Sequence, residues 1–103
     1  MNVFVINGKT VKAKPFDFGT VCDLEDMGFS MDEMEKKPMK MIRAYVAVCM
    51  GTDIEVSGSE INSHIVSGGD LKEATKAMVK EMKESDFFQK MIAGKVKNQE
   101  TTE

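Results

Sequence analysis

The stretch FDFGTVCDLEDMGFSMDEMEKKPMKMIRAYVAVCMG, residues 16–51, decides the fold because it contains two helices with clear start and stop signals. Asp17 can cap a helix whose apolar residues recur at three-residue steps, and Gly28 follows where a left-handed C-cap residue is needed. We therefore predict a first helix over residues 18–27. Its apolar positions are Phe18, Val21, Leu24 and Met27.

Two signals separate this helix from the next. Ser30 and Glu33 have the spacing of a capping box, in which each side chain accepts a hydrogen bond from the other residue's backbone N–H. A short turn of helix should begin there. Pro38 cannot extend that turn because it lacks an N–H, but it suits the first turn of a new helix. The second helix is predicted over residues 38–50 and ends at Gly51.

The second helix is predicted to lie at the centre of the core, because only Lys40, Arg43 and Ala47 form a narrow polar or small face. A membrane span is excluded, since the longest apolar run, residues 44–50, is far shorter than the about 20 residues that a span requires. The apolar positions form two stripes, Met39, Ile42, Val46 and Cys49, and Met41, Tyr45 and Val48.

Length, composition and charge restrict the class of protein. A chain of 103 residues with 42% hydrophobic content can form one domain, burying roughly 65% of the surface of its unfolded chain. The net charge of −3 disfavours nucleic acid as a partner.

The N-terminus lacks the basic segment of a secretory signal, so we expect a cytoplasmic protein. Cys22 and Cys49 are expected to be small buried apolar groups in that compartment.

Residues 2–13 are predicted to form a β-hairpin. Asn7-Gly8 is the dipeptide that best tolerates the two positive φ angles of a type I′ turn. A lone hairpin is marginal in water, so it should pack on the helices or pair with the edge of another molecule in a homo-oligomer. The face expected to cover the helices consists of Phe4 opposite Val11, with Ile6 and Ala13.

A third helix is predicted over residues 53–66. Thr52 and Glu55 repeat the capping-box spacing, and Gly68-Gly69 would end the helix. Gly58 and the serines on either side of it lower helix propensity, so a later start near Ser59 is an alternative.

The fourth helix should begin at Asp70, with Glu73 completing the capping spacing. Its apolar stripe is Leu71, Ala74, Met78 and Met82. A second face carries Lys72, Lys76, Lys80 and Lys83. This lysine face is either a site for an anion or acidic partner or an ordinary solvated face, and the glutamates beside it favour the solvated face.

Ser85-Asp86 permits a break before a last apolar helix, and the polar residues after Gly94 have nothing to bury. The predicted fold class is therefore mainly α (α+β). An N-terminal β-hairpin packs on a bundle of four to five short helices, residues 17–93, in a single domain, residues 1–93. Residues 94–103 are predicted to be a disordered tail.

The sequence contains little evidence of catalytic residues. His64 is the only histidine, and no serine or cysteine lies in a recognisable nucleophile motif. Glu60 and His64 could begin a metal site, but two ligands without a second pair favour a hydrogen-bonded pair. Residues 68–70 lack the lysine and serine of a phosphate loop. We therefore predict a binding protein with no catalytic residues, no cofactor and no metal.

Ten methionines are unusual for this length, and they suit either irregular core gaps or an adaptable apolar surface. Met31 and Met34 lie in a short acidic turn with few core partners within reach, so we expect them to be partly exposed. Phe87 and Phe88 lie next to a chain break. The predicted partner-binding residues are Met31, Met34, Phe87 and Phe88.

The chain resembles the small tail assembly chaperones of long-tailed phages and prophages of Gram-positive bacteria. The resemblance covers residues 4–93 in the order Asn-Gly hairpin, FDFGTVCDLEDMG, PMKMIRAYVAVCMG and INSHIVSGGDLKEATKAMVKEMKESDFFQKM. It implies a chaperone that coats the helix-rich tape measure protein in the bacterial cytoplasm until tail-tube subunits displace it. It also implies that this chain is the short form of a protein with a longer, frameshifted form.

Two other classes remain open from the sequence. A generic bacterial helical adaptor or regulatory interaction module would explain the same composition, and its gene would lack tail-tube and tape measure genes as neighbours. A small metal-dependent or anion-dependent enzyme would retain a stoichiometric metal after chelation.

Overall fold

The computed structural model describes the backbone of residues 2–101 and the side chains of residues 2–94. Within these residues an antiparallel two-stranded hairpin precedes five α-helices, which confirms the predicted fold class. The elements are β1 (Val3–Ile6), β2 (Lys9–Lys12), α1 (Phe18–Asp26), a 3-10 turn (Met31–Glu33), α2 (Pro38–Met50), α3 (Ile54–Val66), α4 (Lys72–Glu84) and α5 (Asp86–Thr101).

The hairpin has the predicted turn and register. Asn7 and Gly8 both have positive φ, 52° and 78°, as a type I′ turn requires. Phe4 lies opposite Val11, and the predicted inner face is buried. This face covers the chain's own helices, since β1 packs on α3 and α4 and β2 packs on α2.

Helix α2 lies at the centre of the core, as predicted. Ile42 and Val46 are buried, and Ala47, on the predicted polar or small face, is buried as well. The ring of Tyr45 stacks on Phe16 at a centroid distance of 5.0 Å, and its hydroxyl donates a hydrogen bond to the Lys14 carbonyl oxygen. The prediction was wrong at the first turn, where the Met39 side chain is 62% exposed. In the predicted stripe that contains Met39, Ile42 and Val46, burial therefore begins at Ile42.

Helix α3 spans Ile54–Val66, within one residue of the predicted bounds, but the predicted capping residue was wrong. Its N-cap is Asp53 rather than Thr52, and the Asp53 carboxylate accepts a hydrogen bond from the Val56 backbone N–H. The helix begins at Ile54, so the later start near Ser59 is not observed. The N-cap is the residue directly before the first helical residue, and that residue is Asp53 because the helix begins at Ile54.

The residues that lower helix propensity in α3 are those that let it approach α2. The buried Ser57 hydroxyl donates a hydrogen bond of 2.8 Å to the Arg43 carbonyl oxygen. A Cβ atom at Gly58 would lie 2.8 Å from the Arg43 Nε, which itself donates to the Ile54 carbonyl oxygen. The small residues Ser57 and Gly58 therefore allow the close contact between α2 and α3, although both have low helix propensity.

The last two helices begin near the predicted positions. The Asp70 carboxylate accepts from the Lys72 N–H, although the N-cap of α4 is Leu71, and the Ser85 hydroxyl accepts from the Phe88 N–H at the start of α5. Helix α5 is Asp86–Thr101 and so continues past Gly94. The predicted disorder of residues 94–103 falls largely outside the residues whose side chains are described and remains a prediction.

Candidate functional site

An exposed pair of phenylalanine rings stands out on the surface. Phe18, the first residue of α1, is 68% exposed, and Phe87, the second residue of α5, is 38% exposed. Their ring centroids are 5.9 Å apart and the ring planes are at 82°, an edge-to-face arrangement. We call Phe18 and Phe87 the aromatic pair.

Core contacts of neighbouring residues hold the aromatic pair in place. The Ser85 hydroxyl donates a hydrogen bond to the Phe16 carbonyl oxygen, which joins the residues just before α1 and α5. The Phe88 ring meets the Phe16 ring edge-on at a centroid distance of 5.0 Å, and both are fully buried. The two helices therefore begin side by side. Phe18, two residues after the buried Phe16, and Phe87, directly before the buried Phe88, both face solvent.

The apolar residues that recur at three-residue steps in α1 do not share one buried face. An α-helix turns about 100° per residue, so a stripe with three-residue steps drifts around the helix. Leu24 is fully buried, and Phe18 lies about 120° away from it around the helix axis at this rate. A helical-wheel projection of the sequence therefore places Phe18 and Leu24 on different faces of α1.

The structure separates the four predicted partner-binding residues. Phe87 is exposed, but Phe88 is fully buried, so the folded chain does not offer the Phe88 side chain to a partner as its predicted role requires. Met31 and Met34 are half-buried, as expected, yet both pack against the main hydrophobic core, which corrects the expectation of few core partners. Within this set, Phe87 is the best-placed contact residue, and it gains Phe18 as a neighbour.

The 3-10 turn that carries Met31 is held by Glu33. The Glu33 carboxylate accepts from the Ser30 backbone N–H at 3.0 Å and completes the predicted capping box. It also pairs with the ammonium groups of Lys40 at 3.0 Å and Lys37 at 3.4 Å. The Ser30 N–H, and after it Lys40, lower the pKa of Glu33 from 4.5 to about 2.

We predict that Glu33 contributes to the acid dependence of stability. Its pKa is lower in the folded chain, so its stabilisation is complete above the unfolded value of 4.5 and is lost as pH falls from 4.5 toward about 2. Glu33→Gln should therefore flatten the decline of the urea midpoint across this window. Glu35→Gln is the control, since it makes the same charge change two residues away on an exposed side chain. Equal slopes for wild type and Glu33→Gln would refute the prediction.

Glu60 and His64 form a structural contact between the hairpin turn and α3. His64 Nδ1 accepts from the Asn7 backbone N–H at 2.9 Å, and Nε2 lies 2.9 Å from the Asp70 carbonyl oxygen. A carbonyl only accepts, so Nε2 carries the proton. Glu60 binds the Lys9 ammonium and the Asn7 amide. Among residues with described side chains, no cluster of three or more His, Cys, Asp or Glu side chains could hold a metal ion.

The two cysteines are free and half-buried. Burial raises the pKa of the Cys49 thiol, whose sulfur accepts from the Lys14 backbone N–H at 3.4 Å. A raised pKa leaves less of the reactive thiolate, so Cys49 has the character of a structural residue.

Comparison of the chain with known protein families, curated proteins and solved structures gave no match. In the part of the chain that the structure describes, no helix combines the length and hydrophobicity needed to cross a membrane. Function is therefore inferred from the surfaces of this chain and from the resemblance of its sequence pattern.

Proposed function

We propose that this protein is a phage or prophage tail assembly chaperone that binds the tape measure protein in the bacterial cytoplasm and keeps it soluble until the tail-tube protein replaces it. The resemblance over residues 4–93 supports this proposal. The observation that carries it is the aromatic pair, because a chaperone without a nucleotide cycle needs apolar contact area that is exposed before its client arrives.

The geometry of the pair suits weak contacts repeated along one client. Aromatic side chains provide a large contact area with few rotatable bonds, and they are enriched among the residues that dominate protein interfaces. Phe18 and Phe87 together offer one small anchor per molecule. Several copies bound along a long client would gain strength by avidity, while each copy would remain weak enough for tube subunits to displace.

The test is client solubility in a double variant. Phe18→Asp with Phe87→Asp should reduce the soluble fraction of co-expressed tape measure fragments to that seen without the chaperone. The variant should remain folded, because both positions lie in the first turn of a helix, where a carboxylate interacts favourably with the helix dipole. The measurement is the soluble fraction of overlapping fragments encoded beside this gene, with circular dichroism as the check on folding.

A matched control is Met39→Asp with Val66→Asp, which replaces two other exposed apolar side chains, 62% and 78% exposed. This control should leave client solubility unchanged. A folded aromatic-pair variant that solubilises the client as well as wild type would remove the pair from the binding surface. If the wild type solubilises no fragment, the chaperone proposal itself fails. Gene neighbours without tail-tube and tape measure genes would then favour the generic adaptor.

A further inference from the structure

A second surface, distinct from the aromatic pair, runs along the outward side of α4. It is an open groove of about 960 Å³ between α4 and the start of β1. Val3 and Val79 contribute apolar side chains that are 41% and 36% exposed, and half-buried Leu71 lies at one end. Four lysines line the same groove. We call this surface the lysine groove, and its lysines are Lys72, Lys76, Lys80 and Lys83.

The hairpin converts a charged helix face into this groove. The Asn2 side-chain amide donates hydrogen bonds to the Ala77 carbonyl oxygen and to the Glu81 carboxylate, both at 2.9 Å. These bonds fix the start of β1 against α4, so Val3 stands beside the lysines. The pattern of α4 alone favoured an ordinary solvated face because glutamates lie beside the lysines, and it gives no information about the strand that supplies the apolar wall.

The positive charges of the groove are not fully paired by the side chains that the structure describes. Among the residues with described side chains, none of the four lysines forms an ion pair. The carboxylates that line the groove are those of Glu73 and Glu84, and Glu81 at its edge keeps its negative charge because its partner, the Asn2 amide, is neutral. Four ammonium groups line the groove, and even with Glu81 counted beside Glu73 and Glu84 the positive charges outnumber the negative ones next to the exposed apolar side chains.

We propose that the lysine groove binds an acidic amphipathic helix of a partner protein. The apolar face of that helix would cover Val3 and Val79, and carboxylates along its edge would pair with the lysines. From Lys72 to Lys83 the groove extends about 17 Å at 1.5 Å per residue, which matches about three turns of a docked helix. The inference concerns the chemistry of the partner and holds whether or not the partner is a tape measure protein.

A nucleic acid matches the groove less well. Its phosphates would meet the lysines, but they would also lie beside the carboxylates of Glu73 and Glu84. Phosphate contacts would leave the apolar side chains of Val3 and Val79 uncovered, and the chain as a whole carries a net charge of −3. A helix with one apolar and one acidic face satisfies both features at once.

The experiment compares two fluorescein-labelled helical peptides of about 16 residues, a length that spans the groove. One peptide has leucine on one face and glutamate beside it, and the other has lysine in place of each glutamate. Wild-type protein should bind the acidic peptide about tenfold more tightly at low salt, because several modest charge pairs add. Lys76→Glu with Lys80→Glu and Lys83→Glu should invert this preference, as measured by fluorescence anisotropy.

The matched control is Lys12→Glu with Lys36→Glu and Lys90→Glu, which changes three exposed lysines outside the groove and alters the net charge equally. It should keep the preference for the acidic peptide. If the triple groove variant fails to fold, the milder Lys76→Gln with Lys80→Gln and Lys83→Gln should still reduce the preference. Equal binding of both peptides by wild type, inversion in the control variant, or tighter binding of a single-stranded oligonucleotide than of the acidic peptide would overturn the proposal.

Discussion

Replacing Phe88 with alanine is expected to lower the free energy of unfolding by about 3–5 kcal/mol, the range for a buried phenylalanine. The Phe88 side chain is fully buried, and its ring meets the Phe16 ring at a centroid distance of 5.0 Å. Phe16 in turn stacks on Tyr45 of the central helix α2. Alanine would therefore leave a cavity where α5 joins the core. Urea denaturation followed by circular dichroism measures the change.

The adjacent residue provides the control. Phe87→Ala should change the free energy of unfolding by no more than about 1 kcal/mol, because the side chain is 38% exposed and its ring contact is with the exposed Phe18. In the client assay the order should reverse, since Phe87 belongs to the aromatic pair. Equal destabilisation by the two substitutions would contradict the assignment of one residue to the core and the other to the surface.

The features that the sequence predicted correctly are encoded within a few residues. Asp17 caps α1 through the Thr20 N–H, and Gly51 ends α2 with a φ of 69°. The Asn7-Gly8 turn fixes the register of the hairpin, because a one-residue shift would turn its whole apolar face outward. Such signals depend on backbone geometry over one helical or β-turn, which the order of residues specifies directly.

The features that were missed depend on which elements meet. Ser57 and Gly58 look unfavourable in α3 until Arg43 of α2 is placed against them, since Ser57 bonds to its backbone carbonyl and Gly58 packs against its side chain. Val3 is outside the face predicted to cover the helices, and its place in the lysine groove depends on the hydrogen bonds of Asn2 to α4. No periodicity in one segment contains such information, since it arises from contacts between residues far apart in the chain.

The same limit explains why the sequence could not distinguish the exposed Phe87 from the buried Phe88. Phe87 and Phe88 are identical in chemistry and adjacent in sequence, so their position next to a chain break led to the same prediction for both. The helical turn of about 100° between them directs one ring to solvent and the other to Phe16. Which ring is buried follows from how α5 is oriented on the core, and the Ser85 hydrogen bonds to both Phe16 and Phe88 set that orientation.

The second large effect is expected at Ile42. Its side chain is 5% exposed in α2 and belongs to the main core. Ile42→Ala should lower the free energy of unfolding by about 2–4 kcal/mol through lost burial and the cavity left behind. The measurement is urea denaturation at neutral pH, with the dependence on urea concentration checked for constancy so that the midpoint shift reports stability.

Met39→Ala is the matched control, because it removes a large apolar side chain from the same helix one turn earlier, where that side chain is 62% exposed. It should change the free energy of unfolding by no more than about 0.5 kcal/mol. The contrast tests where the buried stripe of α2 begins, since the apolar pattern of the helix assigns both residues to one stripe. A loss at Met39 as large as the loss at Ile42 would mean that the first turn of α2 is covered in solution. A loss of less than about 0.5 kcal/mol at Ile42 would mean that α2 is not the central helix of the fold.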